Sequence, residues 1–359
     1  MMKDYNRIQA AERGFADRVP IYGQIHEYVM TSSGIPTREF YSNGKLLVRK
    51  TVEIAEKLDL DDPHIAYDTY NIEAEALGMK VKYFDNRIPS LVNEPLIKKK
   101  EDLKTLKPPK PGKDGRMPFV LEVIKEYQKL GIKPKLHSSI SFTAPFTLAA
   151  QLRGVTDFLI DTIQDPIFAH DLLSFVTEEV LKPWIKMMKE VNKLDKPIFG
   201  GADALASLPN MGIKGIKEFA LNYILKLRKQ FEDEAMVQNW VGESYIKEAR
   251  ELLEIKLIAS PKIIVGQDPD IEKIGPEIYK EFARKHNVPL VLGIGSSFLM
   301  LSTPDEIKRR IKRYVEVGKE WGKFLLYLCN VGANTPPENL EAAINAVQEY
   351  GQYKGKRGL

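Results

Sequence analysis

Apolar runs of strand length alternate with longer amphipathic segments over most of the 359 residues. The clearest unit spans Phe324 to Tyr350, where an apolar run precedes a polar turn, and Pro336 and Pro337 then open a segment with apolar residues at helical spacing. Strand, turn and helix in this order form the repeating unit of parallel α/β folds, which place their chemistry at the carboxyl ends of the strands. The same pattern predicts strands near residues 19, 65, 134, 196, 235, 262, 288 and 324.

Eight strands alternating with helices predict an α/β fold, a (β/α)8 barrel that forms a single domain over residues 1–359. Residues 1–118 are less regular and carry N-terminal additions to the barrel, including a hairpin over 79–92. A doubly wound open sheet is the alternative, but no Gly-x-Gly-x-x-Gly follows the first strand, which disfavours dinucleotide binding. The predicted helices cover residues 1–17, 44–58, 119–130, 214–231, 244–254, 274–285 and 304–318.

Composition narrows the class of protein. A hydrophobic content of 43% and a charged content of 28% are typical of a soluble globular chain. The net charge is only +4, and the basic residues are interleaved with acidic ones. This charge pattern disfavours nucleic acid as a partner. The single cysteine fits a reducing compartment. No apolar run approaches the roughly 20 residues that span a bilayer, and no secretory signal is visible, so we expect a cytoplasmic protein that does not bind membranes.

Several segments, in this order, resemble the uroporphyrinogen decarboxylase superfamily, which includes corrinoid-dependent methyltransferases. The segments that resemble the methyltransferase branch in particular are Glu73-Ala-Glu-Ala-Leu-Gly and Asp114-Gly-Arg-Met-Pro. Those that resemble the whole superfamily are Ala144-Pro-Phe-Thr-Leu-Ala, Asp203 with Ala206-Ser207, Ser302-Thr-Pro-Asp-Glu-Ile, and Thr335-Pro-Pro-Glu-Asn-Leu with Glu349-Tyr350-Gly351. The resemblance implies a distorted (β/α)8 barrel, in agreement with the strand count, and allows a homodimer.

The loop after the first strand separates the two branches. The decarboxylase has an arginine-rich loop there that binds a substrate with many carboxylates, whereas this chain reads Tyr22-Gly-Gln-Ile-His-Glu-Tyr, without arginine. The resemblance therefore implies a corrinoid-dependent methyltransferase. Such an enzyme would pass a methyl group from a small methylated donor, for instance a methoxylated aromatic, to the cobalt of a corrinoid-binding partner protein. Two alternatives stay open: transfer from methylcobamide to an acceptor, and a decarboxylase-like barrel or one that has lost its chemistry.

A zinc site is the second expectation from the resemblance. Thiol-methylating relatives hold zinc with a His-x-Cys pair and a cysteine after the last strand. Cys329 matches the last cysteine, but Asn239 and Val241 stand where His and Cys are expected. The remaining metal hypothesis is zinc bound by Glu243, Asp268 and Cys329, since zinc accepts oxygen as well as sulfur ligands.

Polar and aromatic residues at the predicted strand ends supply the other candidates. The alternative for each is a structural role: Asp203 as a cap, the aromatic residues as core, and Cys329 as a small buried apolar group. His64 is expected at the surface. The candidate catalytic residues are His26, Glu27 and Asp203, and the candidate substrate-binding residues are Tyr22, His137, Phe142, Asn239, Trp240 and Gln267.

Overall fold

Parallel strands and helices alternate in the computed structural model, which describes residues 6–131, 140–193 and 198–353. The strands are β1 (Ile21–Gly23), β2 (Val81–Lys82), β3 (Ser90–Leu91), β4 (Ile140–Thr143), β5 (Phe199–Ala202), β6 (Met236–Gln238), β7 (Ile264–Gln267), β8 (Leu290–Ile294) and β9 (Phe324–Leu328). The α-helices are α1 (Asn6–Arg13), α2 (His26–Ser32), α3 (Thr37–Phe40), α4 (Gly44–Lys57), α5 (Thr69–Ala76), α6 (Met117–Lys129), α7 (Pro145–Arg153), α8 (Val155–Gln164), α9 (Pro166–Phe175), α10 (Lys182–Asn192), α11 (Ile213–Gly215), α12 (Asn222–Gln230), α13 (Arg250–Ala259), α14 (Asp270–Ile274), α15 (Pro276–Lys285), α16 (Ser296–Leu301), α17 (Pro304–Lys319) and α18 (Pro337–Tyr350). No helix among these residues is both long and apolar enough to cross a membrane.

The barrel strands form two parallel sheets. One has the order β1-β9-β8-β7 and the other the order β4-β5-β6. The predicted (β/α)8 barrel is confirmed in fold class, and its sheet is interrupted at two places in the described part of the chain. The predicted hairpin over 79–92 is also confirmed, since β2 and β3 pair antiparallel.

The strand predicted near residue 65 is not formed, and an extended segment, residues 60–68, takes its place between β1 and β4. Asp61 explains the change: its backbone N–H donates to the Ile21 oxygen at 2.8 Å, and its carboxylate accepts from the Ile21 N–H at 2.8 Å. The Asp61 carboxylate therefore takes the place of the backbone carbonyl that would accept from Ile21 in a regular strand pairing. Farther along, the Tyr67 hydroxyl donates to the Ser141 oxygen at 2.7 Å and ties the segment to β4.

Two apolar clusters lie on opposite faces of the strands. Ile21 and Leu326 belong to the larger cluster, which packs the strands against the surrounding helices. Their neighbours Tyr22 and Tyr327 belong to a smaller cluster inside the barrel, where Ile8 of α1 also packs. The alternation follows from the two-residue period of a strand, and both faces are apolar because both are buried.

The helices predicted over 44–58, 119–130, 214–231, 274–285 and 304–318 are confirmed, and of the helix predicted over 1–17 the structure describes α1 at Asn6–Arg13, with residues 1–5 outside the described residues. The helix predicted over 244–254 is wrong in position, because residues 243–245 form a 3-10 turn and α13 begins only at Arg250. At α17 the sequence signal and the structure agree: the Thr303 side chain accepts from the Glu306 N–H, and the Glu306 side chain accepts from the Thr303 N–H.

Candidate active site

A cavity of about 340 Å³ lies inside the barrel. That volume falls in the range of small-molecule sites. The cavity wall consists of residues 22, 24, 26, 64, 67–70, 88, 141, 198–202, 237–239, 263, 265, 267, 327, 329 and 330. Among these described residues there is no lysine or arginine, and the one carboxylate, Asp68, is paired with Arg116 at 2.7 Å.

Three aromatic rings form one side of the cavity wall. The ring centroids of Tyr22 and Tyr327 are 4.9 Å apart, and the His64 ring packs edge-on against both, at 5.6 and 5.8 Å. Burial lowers the pKa of His64 to about 4, so this imidazole is neutral at pH 7. His64 also has φ of +29°, an uncommon backbone conformation for a residue with a side chain. Its prediction as a surface residue is wrong.

His26 opens α2 and is held on both ring nitrogens. Its Nδ1 lies 2.7 Å from the Tyr41 hydroxyl, and its Nε2 lies 3.2 Å from Gln24 Nε2. The Gln24 Oε1 accepts from the Tyr327 hydroxyl at 3.0 Å, which leaves the amide N–H to donate to His26. Nε2 is then the acceptor, and Nδ1 donates to Tyr41. Burial and the neighbouring His64 lower the pKa of His26 to about 3, so His26 is also neutral at pH 7.

Asn239 and Tyr70 form a second polar pair in the cavity wall. The Asn239 Nδ2 donates to the Tyr70 hydroxyl oxygen at 2.5 Å, and Oδ1 accepts from the Asp203 N–H at 2.6 Å. A backbone N–H can only donate, so this contact fixes which end of the Asn239 amide faces Tyr70. Burial raises the pKa of Tyr70 to about 12, and donors from Asn239 and the Ala204 backbone act against that rise.

Asp203 itself lies outside the cavity wall, contrary to its prediction as a catalytic residue. It is fully buried, with Oδ1 accepting from the Thr147 N–H at 3.0 Å and Oδ2 accepting from Trp240 Nε1 at 2.8 Å. Burial raises the pKa of Asp203 to about 6. Its carboxylate thus joins α7 to the loop after β6, while its backbone orients Asn239.

Glu27 is likewise outside the cavity wall. Its carboxylate accepts from the Asn330 side chain and from the Ala333 backbone, so it connects α2 to the loop between β9 and α18. Burial raises the pKa of Glu27. Thr31 supports the same connection by donating to the Ala333 oxygen at 2.8 Å.

Successive side chains along a strand point to opposite faces, and this alternation decides which of the other predicted residues face the cavity. Tyr22, Asn239 and Gln267, which were predicted to bind substrate, line the cavity. Phe142 and Trp240 do not: they are fully buried in the larger apolar cluster, and their neighbours Ser141 and Asn239 line the cavity instead. His137 lies outside the described residues.

The three predicted metal ligands are not brought together. Glu243 is fully buried beside Lys256, and Asp268 binds Arg310 at 3.0 Å and the Tyr314 hydroxyl. Cys329 does line the cavity, where its thiol lies 3.6 Å from Gln267 Oε1 and burial raises its pKa to about 12.

No group of three or more His, Cys, Asp or Glu side chains that could hold a metal ion occurs in the described part of the chain. Two of the three predicted carboxylate and thiolate donors are already bound to cations. The donor set therefore does not fit the predicted zinc.

Sequence reasoning missed several residues of the cavity wall. His64, Tyr67 and Asp68 lie within the segment that replaces the second strand, Tyr70 follows it, and Tyr327 lies within β9. The available signal was position: polar and aromatic residues that follow a predicted strand, and inward positions at a period of two. Neither signal shows which side chains of a strand face the cavity and which face the helices, because both faces of the strand are apolar.

The fold and the site together define the class of protein: a (β/α)8 barrel with a cavity among its strands. Within that class the chain belongs to the uroporphyrinogen decarboxylase family, whose model matches residues 2–350. A methyltransferase from Methanosarcina mazei has the same fold, with a TM-score of 0.76 and 23% identity over 96% of this chain and 97% of that chain. A B12-independent methionine synthase from a Shewanella species, solved with selenomethionine, matches with a TM-score of 0.43 and 11% identity over 87% of each chain. No curated protein matches the chain.

Proposed function

We propose that this protein is a corrinoid-dependent methyltransferase that takes a methyl group from a small, uncharged methylated donor. The acceptor is the cobalt of a corrinoid carried by a partner protein, and a methoxylated aromatic is the donor class that suits the cavity best. The observation that carries the proposal is the cavity wall, which combines aromatic rings with amide and hydroxyl groups and has no lysine or arginine among its described residues.

The same wall disfavours the family's decarboxylation reaction. A porphyrinogen carries many carboxylates, and burying them without guanidinium or ammonium partners is costly. The one carboxylate of the wall, Asp68, would repel such a substrate if ionised, and it is already bound to Arg116. A neutral ring with an ether oxygen avoids both costs.

The chain's own part in the reaction is to hold the donor and stabilise the oxygen that leaves. A Co(I) corrinoid supplies the nucleophile, and negative charge then develops on the donor oxygen. Neutral O–H and N–H donors fixed in a water-poor cavity stabilise such a charge effectively. The described cavity wall offers hydroxyl and amide groups for this purpose, and no step is assigned to a metal held by this chain.

The test is a direct transfer assay with purified protein. Free cob(I)alamin is mixed with a panel of methoxylated benzenes, and transfer is followed by the loss of Co(I) absorbance and by chromatography of the demethylated product. We expect catalysed transfer from uncharged donors and none from ring-matched donors that carry carboxylates. Transfer in the opposite direction only, from methylcobalamin to a phenol or thiol, would contradict the proposed direction, and no transfer either way would contradict the function.

A matched control uses a variant that introduces a cation into the cavity wall. Val237→Lys places a charge beside Asn239 without removing any polar group that we assign to the site. We expect this variant to lose the uncharged donors and to gain affinity for carboxylated ones.

A further inference from the structure

The hydroxyl of Tyr70 differs from the other polar groups of the cavity wall in its hydrogen bonds. Its oxygen accepts from Asn239 Nδ2 at 2.5 Å, and the Ala204 backbone N–H acts on the same oxygen. A phenol oxygen has two acceptor sites and one proton to donate. The Asn239 amide therefore occupies one acceptor site, and the O–H bond is directed away from it.

No acceptor for the Tyr70 proton occurs among the described residues, whereas other hydroxyls of the cavity wall have one. The Tyr67 hydroxyl donates to the Ser141 oxygen, and the Tyr327 hydroxyl donates to Gln24 Oε1. Tyr70 lines the cavity together with Tyr327 of β9 and Cys329, the residue after β9. Its free proton thus lies on the cavity side of the ring.

The backbone fixes this arrangement. The Asp203 N–H donates to Asn239 Oδ1 at 2.6 Å, so Nδ2 must face Tyr70. Asp203 is held by Thr147 and Trp240, and Ala204 is the next residue along the chain. The loop after β5 therefore both orients Asn239 and supplies the second donor. The Asn239 amide donates to the Tyr70 oxygen, and this contact favours sharing of the Tyr70 proton with a ligand oxygen, although burial raises the pKa of Tyr70 to about 12.

We propose that Tyr70 is the catalytic hydrogen-bond donor to the oxygen that leaves when the methyl group is transferred, with Asn239 as its positioning residue. This proposal rests on the proposed methyl transfer. The methyl–oxygen bond breaks, its electron pair stays on the donor oxygen, and the methyl carbon passes to the corrinoid nucleophile. The oxygen receives a hydrogen bond from Tyr70 and, where it is more basic than the Tyr70 phenolate, the proton itself. Water returns that proton after product release.

The experiment compares wild type, Tyr70→Phe and Tyr28→Phe by two independent measurements. Tyr28 is a tyrosine outside the cavity wall and serves as the matched control. The first measurement is the rate of methyl transfer from substituted anisoles to cob(I)alamin. The second is the dissociation constant of 4-nitrophenolate, a stand-in for the leaving oxyanion, from its absorbance in the absence of any corrinoid.

We expect Tyr70→Phe to slow transfer about 100-fold or more, the usual cost of one oxyanion donor. The loss should grow as the leaving phenol becomes less acidic, a trend that a merely structural role would not produce. Binding of 4-nitrophenolate should weaken roughly tenfold or more, and Tyr28→Phe should change neither quantity. Asn239→Asp exchanges the donor for an acceptor that competes for the Tyr70 proton, so it should slow transfer and raise the dissociation constant of 4-nitrophenolate as well.

The two measurements separate the two proposals. Unchanged transfer or unchanged phenolate binding in Tyr70→Phe, or the absence of phenolate binding in wild type, would overturn the role of Tyr70. If wild type transfers no methyl group but its phenolate binding depends on Tyr70, the proposed function is rejected and the donor at Tyr70 is retained.

Discussion

Two sets of buried polar residues surround the carboxyl ends of the strands, and they differ in how their hydrogen bonds are used. Glu73 and Asp203 lie behind the cavity wall, and every oxygen of their carboxylates accepts a hydrogen bond from the protein. In the cavity wall, by contrast, His26 and His64 are neutral, and Tyr70 has a proton to donate. The carboxylates hold elements together, while the Tyr70 hydroxyl has a proton that it can donate to a ligand.

The difference shows why burial and position at a strand end do not identify a catalytic residue. Asp203 has both properties and a raised pKa, yet its carboxylate is fully engaged by Thr147 and Trp240. Tyr70 is identified instead by a bond that it lacks. We therefore expect changes behind the wall to alter stability, and changes in the wall to alter binding and rate.

The largest expected effect concerns the buried ion pair of Glu243 and Lys256, which lies behind the cavity wall. Lys256→Met removes the cation beside this fully buried carboxylate and leaves its charge uncompensated. We expect the free energy of unfolding to fall by about 3–5 kcal/mol in urea denaturation. The double variant Glu243→Leu with Lys256→Met should recover most of the loss, because no buried charge then remains. Transfer per folded molecule should stay near wild type in both, and a loss of rate that exceeds the loss of folded protein would contradict the comparison.

A smaller effect is expected from Glu73, whose pKa is raised by burial from 4.5 to about 7. Between these two values the folded protein keeps a proton that the unfolded chain releases. The free energy of unfolding therefore falls as pH rises through this window, by about 3 kcal/mol for this group. Glu73→Gln cannot titrate and should flatten that part of the pH profile.

The measurement is urea denaturation of wild type and Glu73→Gln from pH 4 to pH 8. Asp203 and Asp68, with pKa values of about 6 and about 7, titrate in the same window, so the difference between the two curves is the quantity to compare. Parallel curves would show that folding does not raise the pKa of Glu73, which would then be ionised at pH 7. Its contact with Thr143 Oγ1, at 2.7 Å, would then need Thr143 as the donor.

Much of the fold could be predicted from the sequence, because seven of the expected strands are separate apolar runs between amphipathic helices. The strand predicted near residue 65 was wrong for a local reason. The Asp61 carboxylate accepts the hydrogen bond from Ile21 that a neighbouring strand would accept, and the pattern of apolar residues does not reveal such a contact. The helix at 244–254 was wrong because Glu243 is buried in a 3-10 turn, with Lys256 of α13 as its partner.

The site was harder to predict, since the choice between neighbouring residues depends on which face of a strand turns inward. Asn239 and Trp240 were both candidates, and only the first lines the cavity. Position after a predicted strand was the one signal for Tyr70, and it does not reveal the role, which depends on the Asn239 amide after β6 and on the loop after β5, both distant in the chain.

The smallest expected effect concerns Cys329, the one predicted metal ligand that does lie in the cavity wall. Burial raises the pKa of its thiol to about 12, and the thiol contacts an uncharged amide, so it behaves as a small buried group without a thiolate at pH 7. Cys329→Ala should therefore lower the free energy of unfolding by about 1 kcal/mol or less and leave the bound zinc unchanged after dialysis against metal. Glu243→Gln is the matched control, since it should lower stability more and also leave zinc unchanged. Near-stoichiometric zinc in wild type that is lost in Cys329→Ala would restore the metal hypothesis and place a cation inside the cavity wall. The distinction between a neutral wall and the charged residues behind it would then no longer hold.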